Sequence, residues 1–166
     1  MVLTELLGVL GFILSVFVFI ITRLEKRKSL IIDMFACCDN EFPEEWGTDE
    51  NFEEEFVILK IINNGIKPIT INSKSFQIFG NGKCIDPFYC DWFGMSNVSH
   101  PIKPGECSKI GILLAVFEQG LEIDKITDKY EKIGIYCKLK DLEGKSYTNK
   151  GKYAYIPEVG EFEKIK

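Results

Sequence analysis

The stretch Ile133–Lys140 reads IGIYCKLK, and its strict alternation decides the fold class. Apolar side chains occupy every second position from Ile133 onward, and glycine, tyrosine and lysine fill the positions between them. A period of two predicts a β-strand with one face in a core and the other in solvent. Residues 141–144 read as a turn, and the segment 145–149 is predicted to return antiparallel.

Outward from this hairpin, other apolar runs predict further strands. The runs are 29–36, 56–62, a strand resuming at Pro68 with Ile69 and Ile71 on one face, 74–79, 110–117 and 153–156. Because the run 110–117 is apolar on both faces, it is predicted to be a central strand. A short helical turn between 117 and 131 is expected to cross from one sheet to the other. The sequence therefore predicts a mainly β fold, an antiparallel β-sandwich of seven or eight strands.

Turn motifs within this pattern resemble those of a known family. The stretch 59–65 reads LKIINNG, PITI follows at 68–71, and IKPGE at 102–106 precedes a predicted strand. These motifs resemble membrane-anchored bacterial and phage immunoglobulin-like (fibronectin-III-like) modules, in which Asn-x-Gly and Pro-Gly turns occupy such places. The resemblance covers about half of the domain and implies an immunoglobulin-like sandwich. It implies no antigen binding, because the Cys…Trp…Cys core of antibody domains is missing.

The N-terminal run 6–21 contains no charged residue. As a helix, 3–22 spans about 30 Å, which matches the hydrocarbon core of a bilayer. Glu5 stands where a cleaved signal peptide carries basic residues, so a single uncleaved transmembrane helix is expected. The basic cluster that follows consists of Arg23, Lys26, Arg27 and Lys28. By the positive-inside rule, this cluster predicts a single-pass protein of the cell membrane, with its N-terminus outside and its C-terminal domain in the cytoplasm.

The expected organisation follows from these signals. It comprises a transmembrane helix at 1–22, a basic juxtamembrane connector at 23–29, a β-sandwich domain at 30–158 and a C-terminal tail at 159–166. Within the helix, Gly8, Gly11 and Ser15 fall near one face, where small residues allow a second helix to approach closely. This face is a candidate surface for homo-oligomers, although such spacings also occur in unpaired helices.

Charge and cysteine content limit the partners. The 166-residue chain carries a net charge of −5, and acidic residues crowd into the stretch 39–55. Such a surface repels phosphate, so no nucleic-acid partner is expected. The stretch reads as a solvated loop, with a cation site or a dock for a basic partner as alternatives. Cytoplasmic orientation predicts that the six cysteines are reduced, whereas disulfides or a glycan at Asn97 would place the domain outside.

The sequence offers few residues that could form a catalytic or a metal-binding site. His100 is the only histidine, and Cys90 or Cys107 would be its nucleophile partner, with Asp86 or Asp91 as the orienting group. No serine has a nucleophile-elbow pattern. Cys84, Cys90, His100 and Cys107 could form a zinc set, but Cys84 and Cys90 are spaced more widely than a zinc knuckle. No catalytic residue, metal or cofactor is therefore predicted.

The segment 86–100 interrupts the strand rhythm with closely spaced rings. Its predicted partner-binding residues are Phe88, Tyr89, Trp92, Phe93, Met95 and His100. Exposed aromatic residues and methionine are typical interface anchors, but the same rings could instead close one end of the core. The leading hypothesis is a membrane-tethered, non-enzymatic β-sandwich that binds a protein partner at the lipid bilayer surface. The alternatives are a ligand- or cation-sensing membrane protein and a small thiol- or metal-dependent enzyme.

Overall fold

A computed structural model describes residues 2–25, 29–37, 55–86, 92–126 and 131–165, without the side chains of 2–6, 23–25, 96, 97 and 124. The helices are α1 (Val2–Glu25), α2 (Met95–Val98) and α3 (Leu114–Gly120). The strands are β1 (Leu30–Cys37), β2 (Phe56–Asn63), β3 (Gln77–Gly80), β4 (Lys83–Ile85), β5 (Cys107–Leu113), β6 (Ile133–Lys140), β7 (Ser146–Thr148), β8 (Tyr153–Ile156) and β9 (Glu161–Lys164). Short 3-10 turns occupy Ser73–Ser75 and Ile123–Lys125.

The strands form two antiparallel sheets. The smaller sheet has the order β1-β2-β5, and the larger has the order β4-β3-β6-β8-β9, with β7 also pairing with β6. Every named pairing is antiparallel. The predicted mainly β, antiparallel class is confirmed, with nine strands in the described part of the chain rather than seven or eight.

Both sheets contribute to one hydrophobic core. Strand β6 buries Ile133, Ile135, Cys137 and Leu139 and exposes most of the positions between them, as its alternation predicts. Strand β2 also faces this core, through Val57, Leu59 and Ile61. Its opposite face, with Phe56 and Ile58, belongs to a second, smaller cluster. Residues of β2 are therefore buried on both sides, which explains its nearly continuous apolar sequence.

Hairpin β3–β4 turns through Asn81 and Gly82. Both residues have positive φ, at 48° and 69°, as a two-residue type I′ turn requires. Asparagine and glycine tolerate this left-handed conformation better than other residues. The side chain of Asn81 also donates a 3.0 Å hydrogen bond to the carbonyl oxygen of Leu121, which fixes the hairpin against the segment after α3.

Two strand predictions are wrong. The segment 68–71 forms only isolated bridges, from Ile69 to Ile102 and from Ile71 to Asp141. The predicted central strand at 110–117 ends at Leu113, and among the named strands β5 pairs only with β2, so it lies at a sheet edge. The physical reason is that an unbroken apolar run also fits a helix. Helix α3 buries Leu114 and Phe117, which lie three residues apart on one helical face.

The side chain of Asn149 links β6 to β1, two strands that belong to different sheets. It is 1% exposed, and its side-chain oxygen accepts a 2.6 Å hydrogen bond from the backbone N–H of Cys137 in β6. Its side-chain nitrogen donates to the carbonyl oxygen of Ile32 in β1, at 3.4 Å. The Asn149 amide thus pairs with β6 between the stretches that bind β7 and β8, and it joins β6 of the large sheet to β1 of the small sheet.

Helix α1 exposes apolar side chains along its length. Exposed fractions reach 70% at Phe12, 61% at Leu14 and 62% at Phe17. Across the described residues, none of the helices combines the length and the apolar character needed to span a membrane.

Candidate functional site

The aromatic segment is attached to the β domain through two neighbouring rings. Trp92 packs against the main core, with its ring 6.3 Å from that of Phe76. Phe93 packs on the second cluster instead, at 5.2 Å and nearly perpendicular to Phe56. The backbone of Phe93 exchanges two hydrogen bonds with that of Gly111, at 2.9 and 3.0 Å. Because the chain is extended here, successive side chains point to opposite sides, and both cores hold the segment.

The other residues predicted for this site differ in exposure. Met95 begins α2 and is half-buried against the main core, whereas His100 is exposed. Val98, between them, is fully buried and fixes α2 to the domain. Phe88 and Tyr89 lie outside the described residues. The described members thus form a surface with a buried base and a partly exposed rim, which we call the aromatic segment (92–100).

Two buried polar atoms lie in or next to the aromatic segment, one in Trp92 and one in strand β5. The indole nitrogen of Trp92 and the hydroxyl of Ser108 are shielded from solvent, and neither has a hydrogen-bond partner within the described residues. Ser108 lies in β5, three residues before the Gly111 that pairs with Phe93. A buried polar group left without any partner costs about 1–3 kcal/mol.

The cysteines and the suggested metal ligands are only partly placed by the described residues. Within the described ranges, no group of three His, Cys, Asp or Glu residues could hold a metal ion. Cys84, Cys107 and Cys137 are free thiols. Burial raises the pKa of Cys137 to about 12, which keeps this thiol protonated at neutral pH. Of the suggested zinc set, Cys90 lies outside the described residues.

The residues predicted for helix association lie on an exposed part of α1. A Cβ atom added at Gly8 or Gly11 would meet no other atom within 4 Å. The hydroxyl of Ser15 donates a 2.8 Å hydrogen bond to the carbonyl oxygen of Gly11, within the helix. Of the basic cluster, Arg23 lies in the last turn of α1 without a described side chain, and Lys26, Arg27 and Lys28 lie outside the described residues.

A polar cluster that the sequence pattern does not reveal joins the two sheets. Asp33 of β1 accepts a 2.6 Å hydrogen bond from the hydroxyl of Tyr153 in β8 and a 3.2 Å contact from the ammonium group of Lys164 in β9. The Tyr153 hydrogen bond, together with Lys164, holds the pKa of Asp33 below its ordinary value against the opposing effect of burial. This cluster ties the edge of the small sheet to the last strand of the large one.

A second buried tyrosine fixes α3 to the large sheet. The Tyr155 hydroxyl donates a 2.6 Å hydrogen bond to the Glu118 carboxylate, and its ring lies 5.4 Å from Phe117, edge to face. Burial, followed by the effect of Glu118, raises the pKa of Tyr155, so its hydroxyl stays a donor through neutral pH. These polar contacts are built from single residues far apart in the chain, so no sequence period signals them.

The geometry of the described residues thus offers two surfaces of interest, the exposed apolar helix α1 and the aromatic segment. Compared with known protein families, with curated proteins and with solved structures, the chain matches none of them.

Proposed function

We propose that the chain is a membrane-tethered, non-enzymatic module that holds an immunoglobulin-like β-sandwich at the cytoplasmic face of the membrane, where it binds a protein partner. The observation that carries the proposal is the exposed apolar surface of α1, a 24-residue helix. Water is an unfavourable environment for so many adjoining apolar side chains, and lipid is a favourable one. A large exposed apolar surface of this kind usually marks a contact with lipid or with another protein.

The order of the segments supports tethering. Residues 6–21 contain no charge, and the basic cluster begins immediately beyond them at Arg23. This arrangement is typical of a bilayer segment whose basic flank stays in the cytoplasm. Ser29, where the described β domain begins, lies only four residues after the last residue of α1, so the domain stays close to the lipid surface.

The aromatic segment is the surface that best fits a protein partner. Its base is fixed by Trp92, Phe93 and Val98, so binding costs little conformational entropy. Its rim presents His100 and the exposed parts of Trp92, Phe93 and Met95. Aromatic residues and methionine that are held rigid and partly exposed are common interface anchors.

Substitutions in the aromatic segment separate binding from folding. Trp92→Ala removes a ring packed against the fully buried Phe76, so we expect the free energy of unfolding to fall by about 2–3 kcal/mol. His100→Ala removes an exposed side chain and should change stability by less than about 0.5 kcal/mol while weakening partner association. Both quantities are measured on the full-length chain in mild detergent, by thermal unfolding and by quantitative cross-linking in native membranes.

Asn64→Ala is the matched control, because this exposed residue lies on a different loop. It should alter neither quantity. If His100→Ala and Met95→Ala both leave every membrane cross-link at its wild-type level, the aromatic segment is not the binding surface.

A further inference from the structure

The end of the β domain nearest α1 carries two exposed apolar side chains. Ile66 is 54% exposed and Leu142 is 68% exposed, and each lies in a turn between strands. The backbone N–H of Leu142 donates a 3.0 Å hydrogen bond to the carbonyl oxygen of Thr70, four residues after Ile66. The two apolar tips therefore belong to neighbouring turns.

Hydrogen bonds also fix these turns beside the start of β1. The backbone N–H of Asn64 donates to the carbonyl oxygen of Ser29, at 3.0 Å. The side chain of Asn63, which is fully buried, donates to the carbonyl oxygens of Lys67 and Ile102, at 2.7 and 2.8 Å. Since Ser29 is four positions after Glu25, the end of α1 lies at most about 14 Å away.

Lysines adjoin the two apolar tips in the chain, since Lys67 follows Ile66 and Lys140 and Lys145 flank the turn of Leu142. We define the α1-proximal surface by Ile66, Lys67, Lys74, Lys140, Leu142 and Lys145, all of which are exposed. Its exposed acidic neighbours are Glu143 and Glu106, and Glu106 forms an ion pair with Lys103 at 3.5 Å. Asp141 is 2% exposed and accepts from the Tyr147 hydroxyl and the Lys145 backbone, so it adds one negative charge beneath the surface. With Lys103, five lysines stand against these three acids. The surface therefore combines a net positive charge with protruding apolar side chains.

We infer that the α1-proximal surface rests on the anionic phospholipids of the membrane that holds α1, with Ile66 and Leu142 among the headgroups. The inference rests on the proposed function, since it takes α1 to be in a bilayer. Lysines near an anionic leaflet are attracted to it, and apolar side chains at loop tips enter the interfacial region. Contact of this kind fixes the orientation of the domain, so that the opposite end faces the cytoplasm.

Val159 supplies an internal control at the opposite end. It is 59% exposed and lies in the turn between β8 and β9. The next residue, Gly160, lies beside Glu55, which precedes the start of β2, whereas Asn63 ends that strand. The length of β2 separates the two ends by roughly 24 Å, more than two Debye lengths at physiological salt.

The test reconstitutes the full-length chain in vesicles of phosphatidylcholine, with or without phosphatidylglycerol, that contain one lipid with a photoactivatable headgroup, for the loops, and one with a photoactivatable acyl chain, for α1. After irradiation, lipid adducts are located by mass spectrometry. We expect adducts on α1 in both vesicles. In the anionic vesicles we expect adducts on the peptides with Ile66 and Leu142, about tenfold above the peptide with Val159 and about tenfold above the level in phosphatidylcholine alone.

One variant examines the charge of the surface. The triple variant Lys67→Gln, Lys74→Gln, Lys140→Gln should reduce the adducts at Leu142 to the level of the neutral vesicles, with unchanged thermal unfolding because all three lysines are exposed. One result would overturn the inference and leave the tether intact: adducts form on α1, but the peptides with Ile66 and Leu142 carry no more adducts than the peptide with Val159. Loop adducts that do not depend on lipid charge would also overturn it. An absence of adducts on α1 would instead refute the proposed function itself.

Discussion

Leu14→Arg in the full-length chain is expected to release most of the protein from membranes. Leu14 lies near the centre of α1 and is 61% exposed, so an arginine there would face lipid. A charged residue at the middle of a bilayer helix costs about 2.5–3.5 kcal/mol of insertion free energy, which corresponds to roughly a hundredfold change in partitioning. The measurement is the fraction of protein that remains in the membrane pellet after carbonate extraction.

Val159→Arg is the matched control for this change. It places the same charge at an apolar position of the β domain with a similar exposed fraction, 59%. Membrane attachment should then equal that of the wild type. Equal retention of Leu14→Arg and wild type would mean that α1 does not contact lipid.

Phe117→Ala is expected to lower the free energy of unfolding by about 3–5 kcal/mol, the usual loss for a fully buried ring. Phe117 has no exposed surface and contacts Tyr155 and Phe162, with ring centroids 5.4 and 5.7 Å apart. The substitution would open a cavity between α3 and the large sheet. Unfolding is followed by fluorescence on the full-length chain in mild detergent.

Phe79→Ala controls for loss of a phenylalanine as such. Phe79 is half-buried and stacks on Tyr136, 4.8 Å away, on the other face of the large sheet from the core residue Ile78. Its loss should cost about 1–2 kcal/mol, because much of the ring already meets solvent. If the two variants are equally stable, Phe117 is not the core residue that this fold requires.

The alternating strands could be predicted because their pattern directly reflects burial. In β6, burial follows the apolar positions of IGIYCKLK, and β7 pairs along it as the turn at 141–144 indicates. The run 110–117 misleads because it is apolar on both faces, which suits a buried strand and a helix equally. The backbone N–H of Leu114 donates instead to the carbonyl oxygen of Glu55, and α3 begins there.

Strand β9 could not be predicted from the sequence, for a different reason. Its sequence, EFEK, offers one apolar side chain, Phe162, which packs on the core, while its neighbours are charged and exposed. Charged side chains are common on edge strands, where they discourage pairing with other chains, and they hide the apolar alternation. What places β9 is its ladder with β8 and the contact of Lys164 with Asp33, both of which depend on the folded chain.

The candidate surfaces were only partly visible in the sequence. The crowding of rings in 86–100 indicates an unusual segment, but not that Trp92 and Phe93 pack on opposite sides of the small sheet. Ile66 and Leu142 lie in segments that read only as turns. Their proximity depends on the bridge between Ile71 and Asp141 and on the Thr70 hydrogen bond, which join parts of the chain about seventy residues apart.

Thiol labelling in cells that express the full-length chain is the decisive experiment for a membrane tether that holds the β domain at the cytoplasmic face. Cys84 and Cys107 are exposed free thiols, so no engineered cysteine is needed. Burial and Asp86 raise the pKa of Cys84, so this thiol should react more slowly than an ordinary exposed thiol. If the tether holds the domain in the cytoplasm, the chain is membrane-bound. Its two thiols then resist a membrane-impermeant maleimide in intact cells and react after permeabilisation. Labelling of either thiol in intact cells, or recovery of the chain in the soluble fraction, would contradict such a tether.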